Sequence, residues 1–213
     1  MKIKRTANAG VLLELDGVNI LLDGVCGEVQ PYLPTPEAER KALLDKLPDV
    51  VAFTHDHKDH FDVRYAQEYQ KQTLRPILGP ESLPVETCRT LTVGKVTVRS
   101  VPARHLGWAG QMEHDAFLVE GSKTLLFTGD ASPVQLGKNP LPKVDVLVAT
   151  FAYASSRVGW HTVKTLAPEN VVLVHFPLRD YDPNGIWEDA LKIVGQDPVG
   201  TVYIPEMGQT VFL

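Results

Sequence analysis

Thr54-His55-Asp56-His57-Lys58-Asp59-His60 gathers three of the chain's seven histidines and an interleaved aspartate into six positions. The preceding Val50-Val51-Ala52-Phe53 is short, apolar and β-branched, which predicts a buried strand delivering the histidines to a cleft. On an extended strand end, His55 and His57 lie two apart and face the same side, so both imidazoles can reach one cation. Asp59 and His60 follow as the chain turns. The spacing His-x-His-x-Asp-His therefore reads as a metal site rather than a solvated polar loop.

Working outward, further ligand-type residues end apolar runs. His105 closes Val101-Pro102-Ala103-Arg104-His105, Asp130 closes Leu125-Leu126-Phe127-Thr128-Gly129-Asp130, and His175 closes Val171-Val172-Leu173-Val174-His175. In this order the set resembles the signature of the metallo-β-lactamase superfamily of metal-dependent hydrolases. That resemblance spans the chain from the hairpin at Val11 to the terminal strands. It implies an α/β fold of a specific form, an αββα sandwich with the site along one edge between two sheets. It also implies that His55, His57 and His105 hold one cation, that Asp59, His60 and His175 hold a second, and that Asp130 bridges them. The implied cofactors are two divalent metal ions, zinc first, with manganese or iron accepted by the same donors.

Two segments echo each other. Val-Leu-Leu-Glu-Leu, Asp-Gly and Val-Asn-Ile-Leu-Leu-Asp at 11–23 predict a tight hairpin ending at Asp23. Ala116 to Glu120 and Lys123 to Thr128 predict a second, ending at Asp130. Asp49 to Thr54 likewise resembles Asp145 to Thr150, so two related halves are expected to meet face to face. Thr35 with Pro36 and Glu37 predicts a helix start capped by the Thr35 hydroxyl and running to about Leu47. Asp62 predicts a cap for a helix through about Thr73 with Val63, Ala66 and Tyr69 on its buried stripe. Short strands are expected at Pro76 to Gly79, Thr90 to Val93, Val96 to Val101, Thr201 to Ile204 and Gln209 to Leu213. Helices are expected near Thr162 to Leu166 and from Gly185 to Val194.

At 213 residues, 44% of them hydrophobic, the chain fits one domain spanning 1–213. A net charge of −5 argues against a nucleic-acid partner, and no run approaches a membrane span. Cys26 and Cys88 form no Cys-x-x-Cys pair, so a soluble, cytoplasmic protein with reduced thiols and a small-molecule substrate is expected.

The resemblance implies hydrolysis of a small ester, lactone or amide by a hydroxide bridging two cations, with Asp59 and Asp130 at the chemistry. A phosphodiesterase is the alternative, and a di-iron redox protein is the alternative from another class; there, His57 departs from the glutamate of the redox branch. The compact chain, Phe127 to Asp130 and Ile204 to Gln209 look most like the small UlaG-like branch. Asp23 is expected behind the ligands, fixing a histidine tautomer. Arg104, His114 and His161 are candidate substrate contacts, with Arg157 and Arg179 as further cations.

Overall fold

The computed structural model describes residues 1–107 and 111–213. Residues 108–110, part of the loop 104–114 expected at the cleft, lie outside the described residues.

Period-two burial along β2 (Val11–Leu15) and β3 (Val18–Leu22) makes the first hairpin. Asp16 and Gly17 both take positive φ at its turn, the geometry that an Asp-Gly pair tolerates best. β4 (Val50–Ala52), β5 (Ile77–Leu78) and β6 (Thr87–Cys88) add to β3 in parallel, and β1 (Lys2–Arg5) and β14 (Thr210–Phe212) extend the other edge. The second sheet repeats the plan. β7 (Thr90–Val93), β8 (Val96–Arg104), β9 (Glu113–Glu120) and β10 (Thr124–Phe127) are antiparallel, then β11 (Val146–Thr150), β12 (Asn170–Val174) and β13 (Thr201–Tyr203) continue in parallel. Each sheet has seven strands among the described residues.

Alternation then divides the core into three apolar layers. Leu13, Ile20, Phe117, Leu125, Phe127 and Val148 pack between the sheets. Residues one step out of phase face outward: Val51 and Phe53 meet Tyr65 and Tyr69 of α2 (Val63–Thr73), and Leu126, Leu147 and Leu173 share a cluster with Trp160 of α4 (Arg157–Leu166). With α1 (Glu37–Asp45), α3 (Pro133–Leu136) and α5 (Ile186–Gln196), helices flank both sheets, giving the expected αββα layering. The two hairpin turns meet at one end, where Asp16 accepts hydrogen bonds from the Ser122 amide and hydroxyl.

Several local expectations are corrected. α1 begins after Pro36 with no side-chain cap, because the Thr35 hydroxyl accepts instead from the Cys26 amide at 2.9 Å. Asp62 caps α2 through the Tyr65 amide, but the buried stripe is Tyr65, Ala66 and Tyr69, with Val63 exposed. β4 stops at Ala52, so the histidines come from a bent loop rather than a strand end. β1, β6 and the single turn α3 are further elements.

Candidate metal centre

The loop after β4 is tied down from both sides. The His57 carbonyl accepts from the His60 and Phe61 amides, the Lys58 carbonyl accepts from Gly27, and the Thr54 carbonyl accepts from Asp115 of the second sheet. This brings His55, His57 and His60 against His105, Asp130 and His175, which arrive from the ends of β8, β10 and β12. Three sets of donor atoms lie within 4.8 Å of one another: His55 with His57 and His105, His55 with His60 and Asp130, and Asp59 with His60 and His175.

Each tautomer is set by what the ring's other nitrogen meets. The Thr54 hydroxyl donates to Asp23 and so is free to accept from His55 Nδ1, 2.9 Å away. His60 Nδ1 donates to Asp23 at 2.8 Å, and His105 Nδ1 donates to the Leu106 carbonyl at 2.7 Å. The Nε2 atoms of these rings are left as lone-pair donors, with His55 Nε2 2.9 Å from His57 Nδ1. Asp23 is fully buried behind them, its carboxylate accepting from the Thr54 amide and hydroxyl, both at 2.7 Å, and from His60.

Buried Nε2 atoms of His60, His105 and His175 have no hydrogen-bond partner in the protein. All three converge on one oxygen, Asp130 Oδ2, at 3.4, 3.6 and 3.9 Å, and His175 Nε2 also lies 3.3 Å from Asp59. Unpaired buried nitrogens are costly, and lone pairs aimed at a shared carboxylate are the donor set that a divalent cation satisfies. The residues therefore fit divalent metal. Burial opposes charge on His60, yet the Asp130 and Asp23 carboxylates push its pKa well above the usual histidine value, so without a cation its Nε2 carries a proton that metal would displace. Burial likewise opposes ionisation of Asp130, but His175 and His60 hold its pKa well below that of an ordinary carboxylate. The centre reaches solvent at His57, which is half-buried.

Tyr32 was not legible as a site residue. Its ring stands edge-on to His175, with centroids 4.3 Å apart, and Phe151 flanks the same imidazole at 5.7 Å. Burial, then the charges of Asp130 and Asp59, push the Tyr32 phenol up to about 12, so it stays protonated beside the centre. A tyrosine in a Pro-rich loop carries no spacing signal that could have singled it out.

The expected substrate contacts are placed elsewhere. His114 is buried behind the ligands, its Nε2 accepting from the Asp130 amide at 3.1 Å and its ring 4.9 Å from that of His55. Alternation along β8 turns Arg104 away from His105, into a groove with Gln135 and Lys138. His161 and Arg157 line a groove between α4 and α5 that includes none of the candidate ligands. Arg179 lies over the Trp187 ring, 3.9 Å from its centroid.

A family model described as a beta-lactamase superfamily domain matches residues 2–175. The chain belongs to the beta-lactamase superfamily. No curated protein matches it. Among solved structures, a possible metal-dependent hydrolase from Veillonella parvula is 17% identical with a TM-score of 0.76, covering 100% of this chain and 99% of that one. An isothiocyanate hydrolase from Delia radicum gut bacteria is 17% identical with a TM-score of 0.66, covering 100% and 99%. CmlA, a diiron beta-hydroxylase from Streptomyces venezuelae, is 18% identical with a TM-score of 0.69; the match covers 100% of this chain and 54% of CmlA. At these identities the likeness is one of fold. No helix among the described residues is long and apolar enough to cross a membrane.

Proposed function

We propose that this superfamily member is a binuclear metal-dependent hydrolase of a small ester, lactone or amide, in the UlaG-like branch. The observation that carries this reading is the convergence of three unpartnered imidazole nitrogens on Asp130 Oδ2. His55, His57 and His105 would hold one cation, Asp59, His60 and His175 the other, with Asp130 shared between them. When bound, the cations supply an acidified water and Lewis-acid polarisation of the scissile group. Asp59, 3.3 Å from His175 Nε2 and 13% exposed, would serve there as a ligand or as a proton acceptor. Tyr32 and Phe151 both pack edge-on against His175, which puts apolar surface next to the centre. The free thiols of Cys26 and Cys88 support a reducing, cytoplasmic setting.

The test is to strip the protein with chelator, reload it with zinc, manganese or ferrous iron, and screen esters, lactones, amides, isothiocyanates and phosphodiesters. Two metals per chain, with hydrolysis lost in His57→Ala, is the expected result. Cleavage of phosphodiesters alone would change the bond assigned. Stoichiometric iron with oxygen reduction and no hydrolysis would replace the reading with di-iron redox chemistry.

A further inference from the structure

Beside the metal centre lies a second cavity of about 250 Å³ that none of the candidate ligands lines. It opens between the loop carrying Pro31 and Leu33, the turn after His175, Trp187 of α5 and the β13–β14 connection. Its walls are largely apolar, with Leu33, Phe176, Trp187 and Met207 among them. Its polar groups are few and mostly cationic or donating. Arg5 enters from the end of β1, and its Nε, Nη1 and Nη2 donate to the carbonyls of Ala7, Pro205 and Asn8 at 3.2, 3.1 and 3.0 Å. A guanidinium has five N–H donors, so two remain. No carboxylate lies within ion-pair distance of Arg5 among the described residues, and a largely buried cation lacking a counter-charge is an unfavourable arrangement unless an anion completes it. Asn8, 1% exposed, lines the same cavity, and its Nδ2 has no partner. Arg179, its guanidinium carbon 3.9 Å from the Trp187 ring centroid, supplies a second cation at the rim.

We infer that this cavity is a binding site for a small organic carboxylate with an apolar body, its carboxylate meeting Arg5 and Arg179 and its body lying against Phe176 and Trp187. The charge balance selects the class. Arg5 and Arg179 face a single acid, Glu206, so a monoanion neutralises the pocket, whereas a phosphate dianion overshoots and meets Glu206. Guanidinium groups suit the two oxygens of a carboxylate. The volume lies below the roughly 300–1,000 Å³ of pockets for drug-sized ligands, which limits the occupant to a small molecule. The site is also wired to the metal centre, because the Asn8 carbonyl that accepts from Arg5 also accepts from the His175 amide at 3.1 Å.

The experiment titrates the purified full chain with hexanoate, following the Trp187 indole N–H resonance, with hexanamide and inorganic phosphate as parallel probes. Hexanoate should shift that resonance saturably, and hexanamide should not. Arg179→Gln, a change at an exposed position, should weaken binding about tenfold. No saturable shift with hexanoate, an equal response to hexanamide, tighter binding of phosphate, or unchanged affinity in Arg179→Gln would each overturn the assignment. These readouts need no turnover, so they stand or fall separately from the hydrolase reading.

Discussion

Asp23 shows how much one buried carboxylate can organise. It holds the Thr54 amide, the Thr54 hydroxyl and His60 Nδ1 at once, so it fixes both the loop backbone and two imidazoles. Asp23→Asn presents one donor where all three neighbours donate. Metal affinity should fall about 10–100-fold, as for other groups that orient a ligand histidine, read by competition with a chromogenic chelator. At Tyr32, Tyr32→Phe keeps the ring against His175 and should leave metal content unchanged, whereas Tyr32→Ala removes the ring and should lower it. His114 gives a pH signature. Burial is the main reason its pKa falls to about 3 from the ordinary 6.5. The folded protein thus keeps it neutral while the unfolded chain takes up a proton below 6.5. The stability it contributes is present above that pH and is lost as pH falls toward 3. Between pH 6.5 and 5 the loss is about 2 kcal/mol. In metal-free protein, His114→Gln should flatten denaturant-midpoint curves over that window; an unchanged slope would place the proton uptake elsewhere.

At the scale of elements, the strand ends carry the centre through backbone turns that few residues tolerate. Asp23, Gly129 and His175, which follow β3, β10 and β12, all have positive φ, at 47°, 49° and 65°. At Gly129 a side chain is excluded twice, since a Cβ would lie 2.6 Å from Thr54 Cγ2 as well as demanding the left-handed backbone. Gly129→Ala should therefore destabilise by at least about 1–3 kcal/mol in urea unfolding and loosen metal, because Thr54 is the residue that Asp23 holds. Periodicity made most elements legible: the hairpins at Asp16-Gly17 and Gly94-Lys95, the parallel strands before the ligand residues, and α2 and α5. It did not disclose β1, where Lys2, Lys4 and Arg5 leave Ile3 as the single apolar position, nor β6, which is only two residues long. Nor could it show that the Thr35 hydroxyl serves Cys26 rather than α1, because local composition does not reveal a partner nine residues away. The candidate ligands announced themselves because four share one loop and three end apolar runs. Sequence did not show that Arg104 lies in a groove with Gln135 and Lys138, because neighbours along a strand point to opposite sides, nor that His161 faces the groove between α4 and α5.

For the whole molecule, the two halves are joined at opposite ends, by Asp16 and Ser122 at the hairpin turns and by the His/Asp cluster at the ligand loops. Metal bound there spans both sheets and is absent from the unfolded chain, so it stabilises by mass action. At free metal about 1,000-fold above its dissociation constant the gain is about 4 kcal/mol. Chelation should accordingly lower the melting temperature and raise amide exchange in both sheets together; exchange confined to one sheet would argue against a shared centre. The division of donors between the halves also has a bearing on when the protein acquires its metal. His60 is the last donor of the first half, and His175 is synthesised about 115 residues after it, a delay on the order of ten seconds at ribosomal speed. Through that interval the nascent chain offers only an incomplete nest of imidazoles. The ion that would occupy the site is thus selected only once His175 has been made, from whatever pool the chain then meets.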